Sequence, residues 1–129
     1  FNALINGCTS YSSWNLLLDT DGQPLTGKYP CGGLEEIDTE TGEIFQSTQS
    51  LLFRQFSPYV KRGARILEIE QPDDELMSIA FQNPDGQYVV VIASDVTDAR
   101  KKYQIKFKDR YLAVSLPLNT WSLTTVIID

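Results

Sequence analysis

Along the second half of the chain, apolar and polar residues alternate in short runs separated by turn-forming residues, which is the period of half-buried strands. RILEIEQ (65–71) ends at Pro72-Asp73-Asp74, LMSIAFQN (76–83) runs into Asn83-Pro84-Asp85-Gly86, and QYVVVIAS (87–94) follows at once. Proline at the first central position and glycine at the end of that turn predict a hairpin. After a polar loop at Asp95–Arg100, KYQIKFK (102–108) puts Tyr103, Ile105 and Phe107 on one face and Gln104, Lys106 and Lys108 on the other. One face of that strand therefore meets water. RYLAVSLP (110–117) and TWSLTTVIID (120–129) bring the set to about six strands. Six strands with one wet face on a member predict two packed layers, a small antiparallel β-sandwich.

The first half is less regular. Thr48–Val60 lacks glycine and spaces Leu52, Phe56 and Tyr59 as one helical face, with Ser47 or Thr48 as N-cap. Pro58 makes its last turn irregular, so the helix is expected to end near Ser57 or Val60, and Gly63 suits the left-handed position beyond it. LEEIDTETGEIFQ (34–46) has a Thr-Gly turn between Glu-rich arms and reads as an exposed hairpin. YSSWNLLLD (11–19) reads as a buried strand. DTDGQPLTGKYPCGG (19–33) is a long Gly/Pro-rich loop of the kind that lines sites. The expected fold class is mainly β, with one α-helix.

Composition narrows the chemistry. A chain of 129 residues is one domain by length and can bury roughly two-thirds of its unfolded surface. No stretch approaches the ~20 apolar residues of a membrane span. Eleven basic against seventeen acidic residues, net −6, argue against nucleic acid as a partner. Lys61-Arg62 and Arg100-Lys101-Lys102 read as solvated turns. The sequence has no histidine, which removes His-based triads and imidazole metal ligands. Cys8 and Cys31 fit neither a CxxC redox pair nor a zinc site. They read either as a disulfide, in an oxidising compartment, or as two unrelated buried thiols. No metal or cofactor is expected. Phe1 opens the chain with neither methionine nor a signal-peptide pattern, so a processed or excised piece is expected.

Carboxylates are plentiful, but glycoside hydrolysis needs two of them facing across a shielded cleft, about 5 to 9.5 Å apart. Glu35-Glu36, Asp38/Glu40/Glu43 and Asp73-Asp74-Glu75 all sit in turn-like surroundings and read as solvated turn charge. Asp19-Thr20-Asp21-Gly22 begins like a calcium loop but lacks the remaining ligands, and reads as a turn. Cys31-Gly32-Gly33 has no Lys-Ser/Thr after it to make a phosphate loop. Tyr88, Tyr111 and Trp121 could stack on sugar rings, although strand aromatics are mostly core or cross-strand pairs.

The order of motifs says more than any one of them. SYSSWNLLLDTDGQP (10–24), ETGEIF (40–45), QSLLFRQFSPYVKRGARI (49–66) and NPDGQYVVVIAS (83–94) succeed one another in a way that resembles the carboxy-terminal part of glycoside hydrolase family 30, the glucosylceramidase-like enzymes. The resemblance covers nearly the whole chain. It implies that 1–46 holds the last strand and loop of a β/α barrel with a β-hairpin, 47–62 a connecting helix, and 63–129 the side β-sandwich. The parent would be a retaining β-glycosidase whose catalytic glutamates lie on earlier barrel strands, so that this chain holds no catalytic residue and is inactive alone.

By matching positions, Tyr11 falls where the family commonly has a tryptophan at the sugar site, followed by Trp14 and Asn15; these three are the expected substrate-lining residues. Tyr11 for that tryptophan, Gln55 where a histidine is frequent and Pro58 where a lysine is frequent depart from the pattern and bear on the sugar preference. The family's sandwich also draws strands from the extreme amino terminus, which implies open sheet edges here and one of two outcomes: Phe1–Asp38 repacks onto the sandwich, or two chains pair as a homodimer through those edges. The resemblance further implies carbohydrate as the partner, through the parent enzyme, and a secreted or extracytoplasmic location. The competing expectation is a free-standing carbohydrate-binding or protein-interaction β-module.

Overall fold

The computed structural model of the chain describes residues 1–24, 31–71 and 75–129. Residues 25–30 of the loop expected over 19–33, and the turn at 72–74, lie outside the described residues. In chain order the elements are α1 (Asn2–Ile5), β1 (Leu17–Asp19), β2 (Glu35–Ile37), β3 (Ile44–Gln46), α2 (Thr48–Arg54), β4 (Arg65–Leu67), β5 (Leu76–Gln82), β6 (Tyr88–Ser94), β7 (Tyr103–Phe107), β8 (Arg110–Val114) and β9 (Ser122–Ile128).

The unbroken apolar run of β6 is explained by its place. It is an interior strand of the four-stranded antiparallel sheet β4-β5-β6-β9, and both of its faces are covered. On one face Ile79, Phe81, Val89 and Val91 pack against Phe1, Leu4, Phe56, Tyr59 and Val60. On the other, Ala80, Val90 and Ile92 pack against Ile105 and Val114 of the β7–β8 ribbon and against Leu116 and Val126. A strand covered on both sides has no polar face to alternate with. Each of the large apolar side chains buried here contributes about 1.5–3 kcal/mol relative to exposure. The β7–β8 ribbon over the four-stranded sheet makes the expected mainly β, sandwich-like body, and the NPDG hairpin closes through Asn83 N–H to the Gln87 carbonyl at 2.8 Å.

The amino-terminal half differs from expectation in three places. The strand expected over 11–19 shrinks to Leu17–Asp19, of which only Leu18 is buried. Asn15, at φ 59°, takes the left-handed conformation and breaks the extended run before it. That strand pairs in parallel with β2, which pairs antiparallel with β3 as the Thr-Gly turn predicts. Gly33 permits this parallel pair, because a Cβ there would lie 2.5 Å from the Glu35 carbonyl oxygen and 3.1 Å from the Leu18 nitrogen.

Helix α2 starts as read, with Ser47 Oγ accepting from Ser50 N–H at 3.2 Å, but it closes at Arg54 rather than near Ser57 or Val60. The ring of Pro58 would clash with the Arg54 carbonyl in a continued helix, so the chain proceeds in separate turns, Ser57 N–H to Phe53 and Val60 N–H to Phe56. Gly63 then takes φ 87°, the left-handed value expected of it. Cys8 and Cys31 form no disulfide, and both are exposed rather than buried. No helix among the described residues is long and apolar enough to cross a membrane.

Candidate functional site

Three places on the molecule bring together side chains with something to do. The first is the junction between the segment after α2 and the four-stranded sheet. Phe56 is the wedge: its ring stands edge-on to Phe81 of β5 at 6.3 Å and to Phe1 at 5.6 Å. Asn83, buried in the hairpin turn, donates its Nδ2 to the Tyr59 carbonyl at 2.8 Å and accepts the Lys61 N–H on Oδ1 at 2.9 Å. Both ends of one amide thus close on the chain between α2 and β4. Thr125 of β9 sets its hydroxyl 2.9 Å from the Gln55 carbonyl and 2.8 Å from Gln55 Oε1, so Gln55 serves as an anchor of the sheet. Lys61 pairs with Asp85, and the ammonium's hydrogen bond is the main reason that the Asp85 carboxyl lies below the usual carboxylate range.

The second place holds the three residues predicted to line a sugar site. Tyr11 is 63% exposed and its ring lies 5.7 Å from Phe53 of α2. Trp14 is 67% exposed, with no ring partner among the described aromatic contacts. Asn15 is half-buried, and its carbonyl accepts the Leu34 N–H at 3.3 Å at the mouth of β1. The three therefore precede one strand end, but no described contact joins their side chains.

The third place is a cleft of about 280 Å³ lined by Glu75, Leu76, Met77, Ala93, Asp95 and Trp121. The register Leu76↔Ser94↔Ser122 sets Glu75, Asp95 and Trp121 in the next row, across the ends of β5, β6 and β9. Trp121 is 74% exposed, whereas Tyr88, the other strand aromatic singled out, is half-buried with its ring 4.5 Å from Phe107. Tyr111 is exposed on the β7–β8 ribbon, away from this cleft's lining. A wider groove of about 460 Å³ runs between Ile5 of α1 and Ile66, Ile69 and Met77.

Elsewhere the carboxylates with described contacts do structural work. Asp38 accepts the N–H groups of Glu40 at 2.8 Å and Thr41 at 3.1 Å, and these backbone donors, Glu40 first, lower its pKa in the β2–β3 turn. Asp98 is lowered chiefly by the guanidinium of Arg100, whose own pKa rises in return. Glu35 accepts the Ser50 hydroxyl at 2.8 Å, tying β2 to α2. No group of three or more metal-ligating side chains occurs among the described residues. Sequence reasoning missed Asn83 as a staple, having read it as a turn former only. It also missed that Trp121 and Asp95 border one cleft, which the strand register reveals.

Comparison with known proteins gives a consistent answer. Residues 63–126 match the glycosyl hydrolase family 30 beta sandwich domain. Among solved structures, the chain is similar to the endo-beta1,6-glucanase BT3312, with 28% identity over 87% of this chain and 25% of that one, at a TM-score of 0.76. It is likewise similar to SrfJ from Salmonella typhimurium, with 26% identity over 89% of this chain and 25% of that one, at a TM-score of 0.78. The chain spans about a quarter of the length of these structures. No curated protein matches it.

Proposed function

Residues 63–126 form a glycosyl hydrolase family 30 β-sandwich domain, and on that premise we propose that the chain is the non-catalytic carboxy-terminal region of a retaining β-glycosidase, bracing the barrel in which the chemistry occurs. The observation that carries this reading is the junction. Phe56, Gln55, Tyr59 and Lys61 are each engaged by the sheet, so the sandwich holds the segment before it rather than swinging from a linker. A brace of this kind limits movement of the barrel elements next to it, and misplacement of reacting groups by about 1 Å can cost a hundredfold in rate. The structural employment of Asp38, Asp85, Asp98 and Glu35 agrees with chemistry that is done elsewhere.

In the parent, Tyr11, Trp14 and Asn15 line the sugar site; the exposure of both rings, in the segment that leads into β1, supports this. The same reading sets the enzyme outside the cytoplasm, acting on a β-linked carbohydrate. The test is hydrolysis by the purified chain. No release from β-1,6-glucan or an aryl β-glucoside is expected, and turnover that a single Glu→Gln change abolishes would overturn the proposal. One further observation favours pairing of two chains: β4 and β9 are the outer strands of their sheet, and among the described residues each has an edge with no strand partner. Sedimentation across a hundredfold concentration range should then show a dimer; a monomer throughout removes the pairing.

A further inference from the structure

The cleft at the ends of β5, β6 and β9 has a composition the bracing role does not explain. An isolated exposed tryptophan is ordinary on a protein surface. Trp121 is not isolated: the row set by strand pairing puts it beside Asp95, which lies beside Glu75, and Leu76, Met77 and Ala93 complete the walls. Adjacent strands are about 4.8 Å apart, so indole and carboxylate border the same small space.

We infer that this cleft is a binding subsite for a single neutral pyranose ring of a β-linked oligosaccharide. The choice of a sugar rests on the glycosidase reading above, whereas the cleft stands on its own geometry. A pyranose has an apolar face of C–H groups and a rim of hydroxyls. The indole of Trp121 offers that face a flat, wet, apolar surface, and a buried aromatic of this size removes a large area from water. Asp95 makes no described side-chain hydrogen bond, and its carboxylate accepts from hydroxyls through charge-assisted bonds. Glu75 is differently placed: Lys101 sits 2.9 Å from its Oε2, and the Tyr103 hydroxyl 3.4 Å from the same oxygen. These fix Glu75 as a positioned acceptor with a cation beside it. A volume of about 280 Å³ lies just below the usual range of ligand pockets, which suits contact with one ring rather than a longer chain. Lys101 offsets the charge of Glu75, whereas the Asp95 carboxylate opposes a uronic acid, so the site selects uncharged sugars.

The experiment uses the two-tryptophan chain with Trp14→Phe, so that Trp121 is the only indole. Gentiobiose, cellobiose and xylobiose are titrated while emission is followed, with glucuronic acid as the charged comparison. At least one neutral disaccharide should give a saturable change with a dissociation constant on the order of 1 mM, as contact with one ring supports. Calorimetry should show the binding weakened about tenfold by Asp95→Ala and lost with Trp121→Ala; both side chains are exposed, so melting should be unchanged. No saturable response to any neutral disaccharide, equal affinity in Trp121→Ala, or equal binding of glucuronic acid would each overturn the subsite. The bracing role is judged separately by the hydrolysis assay, so a failed titration removes the subsite alone.

Discussion

Asn83 shows how much one side chain can hold. Its amide satisfies a carbonyl and an N–H of a segment more than twenty residues away, inside a turn that is itself closed by backbone bonds. Asn83→Ala should leave both groups unpaired and lower stability by about 2 kcal/mol, read from urea denaturation at constant m. Gly33 acts by absence: Gly33→Ala drives a methyl into the Glu35 carbonyl, so the amides linking β1 to β2 should lose hydrogen-exchange protection. Titration follows from Asp38, Asp85 and Asp98, all lowered in the folded chain. A lowered carboxyl stabilises the fold above its unfolded pKa of about 3.9, and that contribution is lost as pH falls through the lower folded value. The urea midpoint should hold level between about pH 6 and 8, where the chain has no imidazole to titrate, and fall below about pH 4. Asp38→Asn or Asp85→Asn should flatten that acid limb; a midpoint that rises on acidification contradicts the assignment. Asn83's turn was legible in NPDG, but its long-range partners were not, since local sequence does not say which carbonyl arrives from a distance.

Among the elements, the strands of the second half were legible because short apolar runs, alternating in β7 and unbroken in β6, are set off by turn residues from β5 through β9. The parallel β1–β2 pair was not, because parallel partners are joined by a long connection and leave no hairpin signal. The end of α2 was misplaced because the spacing of Leu52, Phe56 and Tyr59 outvoted Pro58, whereas the proline's steric reach back to Arg54 decided it. The same Phe56 that suggested a longer helix is used as a wedge on the sheet instead. Phe56→Ala should cost about 3 kcal/mol and raise hydrogen exchange in α2 before it does so in β6. If α2 and β6 lose protection together, the junction is no separate unit. Trp121's exposure was unreadable because strand aromatics face core or solvent according to register, and register is a property of pairs of strands.

For the whole molecule, most of the apolar side chains that cover one face of the four-stranded sheet among the described residues precede the matched domain: Phe1, Leu4, Phe56, Tyr59 and Val60, with Ala64 and Leu123 from within it. A truncation to residues 63–129 should therefore expose Ile79, Phe81, Val89 and Val91 on that side, bind a hydrophobic dye and elute as aggregates, while the full chain does neither. A soluble, cooperatively melting 63–129 would show that the cover is dispensable. The position of β9 has a further consequence. β6 is paired on one side by its hairpin neighbour but on the other by a strand that follows the long excursion from Asp95 to Trp121. On a ribosome, the Val89–Ala93 run is made well before Ser122–Ile128, and until then it shows a bare, uncharged, β-branched edge. The interval in which those intervening residues are synthesised is when the nascent chain most needs a chaperone, and slow codons there should lower soluble yield without altering the finished protein.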